Sequence, residues 1–257
     1  MGVLGGAVFT NVGLTSIYKD YYILTIPFFL NSDDELDYMM KHLSPRFSEE
    51  IDDEGFKVLA FAKAGWIYFF SKNAIVYPKD LKRHKISFST GTPLLEQAWK
   101  KSGYHVVPNE LKDMMMGLQS GMVNAFYLPP LMAASGQYFA LTPNMCSIKI
   151  APLVGGVVFS NKVWKKIPEQ YRKKIMDMTQ ETAKNLYKNT IELEKDAIKE
   201  MKKHGLKIHQ VPQDAVPLWH EAANKGMDVL IGKLISEDIY NEAVKHLNDF
   251  RKKHKNQ

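Results

Sequence analysis

One stretch of this chain constrains the fold more than any other. From Pro168 to His204 there is no glycine and, after the first residue, no proline. Apolar side chains recur along the stretch at helical spacing, and lysines and glutamates fill most of the other positions. Gly205 then supplies the left-handed residue that often ends a helix. We predict a single helix over 168–204, about 50 Å long at 1.5 Å per residue, against which two lobes of the chain pack.

Composition and charge exclude several classes of protein. The 257 residues suffice for one large or two small domains, and a content of 45% hydrophobic and 24% charged residues is usual for a globular chain. The net charge is +6, but the lysines are scattered along predicted helices among glutamates. No basic stripe alternates with aromatic residues, so we predict no nucleic-acid partner.

The sequence carries no signature of a metal site, a cofactor or a catalytic centre. Cys146 is the only cysteine, which excludes an intramolecular disulfide and a cysteine-rich metal site. His204 and His209 lie on either side of a helix end and do not form a metal-binding pair. No nucleophile elbow, phosphate loop or dinucleotide fingerprint is present. We expect a binding protein with no metal and no cofactor rather than an enzyme.

The apolar segments of the chain are too short to span a bilayer. The first residues also lack the charged, apolar and cleavage regions of a secretory signal. If the protein is exported, we expect its signal to have been removed from this chain.

The order of the predicted elements indicates the fold class. Ile86 to Tyr127 is predicted to form strand, helix, strand, helix and strand, which is typical of a parallel sheet in an α/β protein. Other elements are predicted from local patterns. Up to Tyr18–Leu30 we predict a short helix or turn that runs into a strand ending near Pro27, and then a helix from a capping box at Ser32 and Glu35 to about Phe47. Further strands are predicted at Gly55–Ala62, Asp80–Ser89 and Ile148–Phe159, and a helix over Glu110–Ser120 with Asn109 as its N-cap.

The candidate ligand site follows from the sheet. In open parallel sheets, ligands bind at the carboxyl ends of the strands, and small-molecule sites combine apolar walls with a few polar groups. We predict an interlobe cleft built from residues that we place near strand ends: Trp66, Ile67, Ser87, Ser89, Thr90, Asn124, Phe126, Tyr127, Asn144 and Met145.

Several segments, in order along the chain, resemble the DctP-type solute-binding proteins of tripartite (TRAP) transporters. Lys79-Asp80-Leu81-Lys82 with Lys85-Ile86 resembles the family's DLKGLKIR segment. The other matching segments are LQSGMVN at 118–124, ALTPN at 140–144, VFSNKVW at 158–164 with Ile167-Pro168, and the long helix with KHGLKI at 203–208. The likeness covers nearly the whole chain.

This resemblance implies an architecture and a role. The family has two α/β lobes with mixed and parallel sheets, joined by crossing strands and a long helix, as in periplasmic binding proteins. Its members bind a small organic ligand in the periplasm and deliver it to membrane permease subunits, without catalysis. By this likeness the first lobe comprises 1–82 and 155–180, the second 83–154, the spanning helix 168–204, and the segment that packs on the lobes 205–257. Nothing here predicts an oligomeric state.

The chain departs from the family at three places. By this likeness Met1 aligns inside the first lobe, after the family's N-terminal strand–helix–strand–helix, so we expect either that this is a partial chain or that the first lobe is completed in another way. The family's carboxylate-clamping arginine aligns with Ser87, and serine cannot replace a planar, charged fork. A second basic position aligns with Ile67, and polar positions align with Phe126 and Tyr127. All these changes predict an uncharged or largely apolar ligand, unless Arg83 supplies the missing charge.

Two other functions remain open at the level of sequence. A ligand-sensing or scaffold protein could keep the fold without transport, and exposed apolar surface beside the cleft would favour it. An enzyme could use His105, Cys146 or a carboxylate of the cleft, and a perturbed acid–base pair would favour it.

Overall fold

The structure, a computed structural model, describes residues 5–89 and 93–254. The strands of this part are β1 (Gly6–Thr10), β2 (Phe56–Ser71), β3 (Lys85–Phe88), β4 (His105–Pro108), β5 (Ala125–Leu128), β6 (Asn144–Cys146), β7 (Ala151–Ser160) and β8 (Lys207–His209). The helices are α1 (Asn11–Ile17), α2 (Asp33–Asp53), α3 (Pro78–Leu81), α4 (Pro93–Lys101), α5 (Met114–Gln119), α6 (Pro130–Ser135), α7 (Asn161–Trp164), α8 (Glu169–Lys203), α9 (Val216–Asn224), α10 (Met227–Leu230) and α11 (Glu237–His254).

The chain folds into two compact units, each made of segments that are distant in sequence. The first unit contains the described residues of Met1–Gly65, Pro152–Thr190 and Ile235–Gln257, and the second contains those of Trp66–Ala151 and Ile191–Leu234. Residues 66–82, which were predicted in the first lobe, lie in the second unit because the later half of β2 pairs there with β5.

In the first unit, β7 lies between β1 and β2 and runs antiparallel to β1. Gly155 is required at this pairing, because a Cβ there would lie 2.2 Å from the carbonyl oxygen of Phe9. The core next to these strands is aromatic: the ring centroids of Tyr21 and Phe47 are 5.2 Å apart, and the Tyr21 hydroxyl donates to the Gly155 carbonyl at 3.3 Å.

Helices α2 and α11 of the first unit are joined by ion pairs. Arg251 donates from Nε to Oε1 of Glu35 at 2.7 Å, and the Glu35 carboxylate is almost fully buried. Arg46 contacts Asp238 at 2.7 Å and Glu242 at 2.6 Å. The paired side chains are 192 or more positions apart in sequence, so they tie the C-terminal helix to the N-terminal segment.

The second unit is built on a mixed sheet. β3 runs parallel to both β4 and β5, which confirms the parallel sheet predicted from Ile86 to Tyr127. β2 pairs antiparallel with β5 and β6, and β6 pairs parallel with β8.

Side chains alternate along these strands and form two cores, one on each face of the sheet. On one face Phe126 stacks on Phe70, with centroids 5.1 Å apart, beside the buried Met201 and Leu206 of the later segment. On the other face, neighbouring residues of the same two strands meet tryptophans: Tyr127 stacks on Trp99 at 5.6 Å and Phe69 on Trp219 at 5.6 Å.

The long helix is confirmed as α8, with 35 residues over Glu169–Lys203, so the prediction was right to one residue at each end. Ser32 is confirmed as the N-cap of α2, but the capping box is only half formed, because Glu35 reaches back to the N–H of Asn31 and not to that of Ser32. Ser32 Oγ accepts from the Glu35 N–H at 3.1 Å, and Glu35 Oε2 accepts from the Asn31 N–H at 2.7 Å. Helix α2 continues six residues past the predicted end at Phe47.

One predicted strand and the starts of two other predicted elements were wrong. Most of the expected strand in Tyr18–Leu30 is a 3₁₀ helix over Lys19–Thr25, whose aromatic and branched side chains are buried on all sides. Asp80 does not begin a strand, because its carboxylate accepts from the N–H groups of Val76 and Tyr77 and caps α3. Asn109 does not cap a helix, because its side chain bonds across the sheet to Ser87 instead.

No helix of the described part combines the length and the apolar character needed to cross a membrane.

Candidate functional site

The parallel strands of the second unit define two opposite edges of its sheet. The carboxyl edge is the one at which β3, β4 and β5 end, and the amino edge is the one at which they begin. Strand β2 runs antiparallel to β5, with Tyr68 opposite Leu128, so the residues just before Tyr68 lie at the carboxyl edge. The carboxyl edge is where ligands bind in sheets of this kind.

Trp66 and Ile67 lie at the carboxyl edge, together with a cation that the sequence analysis missed. The Ile150 N–H donates to the Ile67 carbonyl at 2.9 Å, which brings the preceding Lys149 to this edge. The Lys149 ammonium lies 4.7 Å from the centroid of the buried Trp66 ring, within range of a cation–π interaction. The signal in the sequence was a single lysine between two isoleucines, immediately before a buried strand.

Ser89 also lies at the carboxyl edge, one residue after β3. It is exposed, and its hydroxyl donates to Oε2 of Glu110 at 3.0 Å. Glu110 is the second polar group at this edge that the sequence analysis did not include. It follows the end of β4 by two residues, a position that the parallel order of the strands could have indicated.

Ser87 is buried and holds two strands together. Its hydroxyl accepts from Asn109 Nδ2 at 3.0 Å and donates to the Asn109 carbonyl oxygen at 3.2 Å. The position that we predicted from the family likeness to correspond to a clamping arginine is therefore occupied by a small neutral side chain whose proton is already donated within the sheet.

Phe126 and Tyr127 belong to the two cores described above, one on each face of the sheet. Phe126 has no exposed surface. Burial raises the pKa of the Tyr127 hydroxyl well above its usual range, so the ring stays neutral. Both residues support the sheet from within, as large aromatic side chains in strands usually do.

Three predicted residues are not at the carboxyl edge. Asn124 precedes β5, and its side-chain oxygen accepts from the Lys85 N–H at 2.8 Å at the amino edge. Asn144 is paired with Ser71 at the same amino edge, and its Nδ2 donates to the Lys72 carbonyl at 2.8 Å. Its neighbour Met145 is buried in the core. The structure thus separates these residues from Trp66, Ile67 and Ser89.

Two further predictions have definite outcomes. Arg83 lies in the turn before β3, at the amino edge, and so is at the opposite end of that strand from Ser89. Thr90 lies outside the described residues.

The described part of the chain contains no cluster of three or more histidine, cysteine, aspartate or glutamate side chains that could hold a metal ion. Burial raises the pKa of the Cys146 thiol to about 11, so it stays protonated and is a poor nucleophile near neutral pH. The carboxyl edge offers an indole, an aliphatic side chain, a hydroxyl, one ammonium and one carboxylate.

Residues 1–232 match the family model DctP, described as bacterial extracellular solute-binding protein, family 7. No curated protein sequence matches the chain.

Solved structures show the fold. A TRAP periplasmic solute-binding protein from Desulfovibrio salexigens with bound orotic acid is 18% identical, with a TM-score of 0.86 over 96% of this chain and 81% of that one. One from Fusobacterium nucleatum with bound sn-glycerol-3-phosphate is 22% identical, with a TM-score of 0.85 over 96% and 79%. One from Sulfurospirillum deleyianum with bound succinate is 19% identical, with a TM-score of 0.82 over 93% and 78%. The family match, which spans most of the chain, shows that this protein belongs to the DctP family of bacterial extracellular solute-binding proteins.

Proposed function

We propose that this solute-binding protein captures a small, uncharged or largely apolar organic molecule at the carboxyl edge of its second unit. We further propose that it works in the periplasm, delivers the ligand to the membrane permease of a tripartite transporter and catalyses no reaction. Membership of the family supports the transport role. The structurally similar proteins named above bind small organic molecules, which supports the size of the ligand.

We infer an uncharged ligand mainly from Ser87, which is neutral, buried and hydrogen-bonded to Asn109. A carboxylate that binds in a protein without a charged partner loses several kcal/mol of hydration that nothing replaces. The family meets this cost with an arginine, whereas Ser87 is neutral, buried and bonded to Asn109. An apolar ligand needs no such partner, because it gains about 25 cal/mol for each Å² of apolar surface removed from water.

Lys149 does not replace the carboxylate-binding arginine of the family. Its ammonium faces the Trp66 ring, and an ammonium is a compact point charge that cannot form the paired, planar hydrogen bonds of a guanidinium. Glu110 lies at the same edge and offsets part of its charge. The formal charge that these two side chains add to the carboxyl edge is zero.

Native mass spectrometry of gently purified protein, followed by denaturing extraction, tests this proposal. We expect one uncharged or apolar molecule per chain. A Lys149→Met variant should then bind that molecule within about twofold of the unmodified protein, since no charge is recognised. Lys199→Met, which removes an exposed lysine from α8, is the matched control.

Two results would contradict the proposal in different ways. A stoichiometric organic acid, with at least tenfold weaker binding in Lys149→Met but not in Lys199→Met, would show that Lys149 has taken over the role of the arginine. An empty protein with no thermal shift across a panel of metabolites would contradict ligand capture and favour the scaffold alternative.

A further inference from the structure

The second unit contains a cavity of about 330 Å³, a size within the range of small-molecule sites. It lies between α3, the end of α4 and α9. The polar side chains that line it are those of Tyr77, Lys79, Lys82, Ser102, Glu221 and Lys225.

The cavity lies at the amino edge of the sheet. Lys82 is three residues before the start of β3, and Ser102 is three residues before the start of β4. Trp66, Ile67 and Ser89 lie at the carboxyl edge, at the other end of the same strands. The cavity is therefore a separate place from the candidate site described above.

The charges around the cavity are unbalanced. Three ammonium groups face one carboxylate, which leaves a formal charge of +2. The carboxylate of Glu221 pairs with Lys225 at 3.3 Å. Lys79 and Lys82 form no ion pair with any residue that the structure describes, and the Lys79 ammonium lies 5.4 Å from the centroid of the Tyr77 ring.

The backbone at the end of α4 lets Lys82 approach closely. Gly103 has a φ of +83°, and a Cβ at this position would lie only 3.2 Å from the Lys82 ammonium nitrogen. A side chain at residue 103 would therefore crowd this cation. Glycine is the residue that accepts this φ at little cost, so the turn and the position of the charge depend on the same residue.

Three of the residues that line the cavity are buried. They are Pro78, Ala222 and Ser102, and the Ser102 hydroxyl donates to the Ala98 carbonyl at 3.0 Å. That hydroxyl oxygen keeps acceptor capacity but has donated its proton. Leu218 adds a half-exposed apolar wall beside the lysines.

We propose that this cavity is a second binding site, for a small organic dianion. Its acid groups would contact the ammonium groups of Lys79, Lys82 and Lys225, and its carbon frame would lie against Leu218 and the buried lining residues. Two negative charges match the excess of two positive charges. Dicarboxylates and phosphate monoesters share this chemistry.

Lysine footprinting with peptide mass spectrometry tests the proposal on the intact protein at constant ionic strength. The acetylation rate of each lysine is measured with succinate, with phenyl phosphate and with 1,4-butanediol, which has the succinate frame without charge. We expect succinate or phenyl phosphate to protect Lys79, Lys82 and Lys225 with one shared saturation curve, and 1,4-butanediol to protect none. The stronger of the two anions identifies the kind of acid group.

Internal and variant controls separate this site from the carboxyl edge. Protection of Lys149 in the same samples reports binding at the carboxyl edge, so either proposal can fail without the other. Lys82→Met should weaken protection of Lys79 and Lys225 about tenfold, as expected for loss of one charged contact, whereas Lys199→Met should leave it unchanged. Absence of protection at millimolar anion, or equal protection of Lys199, would overturn the proposal.

Discussion

At the scale of single residues, hydrogen bonding decides what each polar side chain of the second unit can do. Ser87 and Asn109 use their side chains to join β3 to the end of β4, and Asn124 uses its own to join the starts of β3 and β5. Side chains committed in this way hold the sheet edge in shape. Ser89 is exposed, and although its hydroxyl donates to Glu110, its oxygen can still accept a hydrogen bond from a ligand.

Ser87→Ala should lower the free energy of unfolding by about 1–3 kcal/mol, because it removes the hydroxyl partner of two buried polar groups of Asn109. Urea denaturation measures this loss. Ser89→Ala, at an exposed position of the same edge, is the control and should change stability by less than about 0.5 kcal/mol. Unchanged stability in Ser87→Ala together with lost ligand affinity would instead make Ser87 a ligand contact.

Cys146 should make stability fall at alkaline pH. Burial raises the pKa of its thiol from 9.0 to about 11, so between these pH values the unfolded chain releases a proton that the folded protein keeps. The contribution of the protonated thiol to the free energy of unfolding is fully present below pH 9. It is lost as the pH rises through 11, and the total loss is roughly 2–3 kcal/mol.

Denaturation at a series of pH values checks this dependence. The buried tyrosines contribute in the same direction, so the comparison is with Cys146→Ala, which should lose less stability between pH 9 and 11. Parallel curves for the two proteins would show that the thiol has the same pKa in both states.

At the scale of elements, local sequence patterns explain where the long helices form. Contacts between distant segments explain which helices pack against each other. Helix α8 lies where the chain lacks glycine and proline, and Ser32 starts α2 by accepting from the Glu35 N–H. The Glu35 carboxylate accepts from the Asn31 N–H just before α2, and it also accepts from Arg251 of α11, 216 positions later. One side chain thus serves both a helix start and a tertiary contact.

Arg251→Met should lower the free energy of unfolding by about 2–3 kcal/mol, because it leaves the buried Glu35 carboxylate without its cation. This value is below the usual range for fully buried pairs because Arg251 is itself 38% exposed. Adding Glu35→Gln should recover part of the loss, since the amide buries no charge. Arg83→Met, at an exposed arginine in the turn before β3, is the control, and an equal effect there would refute this account.

At the scale of the whole molecule, both compact units are discontinuous in sequence. Strand β2 and helix α8 each begin in the first unit and end in the second. The core of the second unit depends on this arrangement, because Met201, Leu206 and Trp219 come from the later segment.

The fragment 66–151 should therefore not fold by itself. Without residues 191–234 it lacks three of the large apolar side chains that cover its two sheet faces, each worth roughly 1.5–3 kcal/mol of burial. Amide NMR spectra should be poorly dispersed, and a hydrophobic dye should bind. Joining 191–234 to the fragment through a flexible linker should restore dispersed spectra, and a well-dispersed spectrum of 66–151 alone would contradict the prediction.

Much of the fold could be predicted because its signals are local. The α/β class, the parallel strands from Ile86 to Tyr127 and the 35-residue helix follow from periodicity, caps and turns. Within Tyr18–Leu30 a strand was predicted to follow a short helix or turn, because the composition of the segment suits strands. It folds mainly as a 3₁₀ helix because burial, which the sequence does not display, decides its conformation.

The candidate site was predictable only in part, for a physical reason. The sequence by itself determined the family likeness and the residue types near the strand ends, and it led to the prediction that Ser87 takes the place of a family arginine. Tertiary structure decided which ends share an edge, because the register of β2 against β5 places Trp66 and Ile67 at the carboxyl edge and the pairing of Ser71 places Asn144 at the amino edge. Strand register depends on contacts between residues far apart in sequence, and only the folded chain brings Lys149 over Trp66.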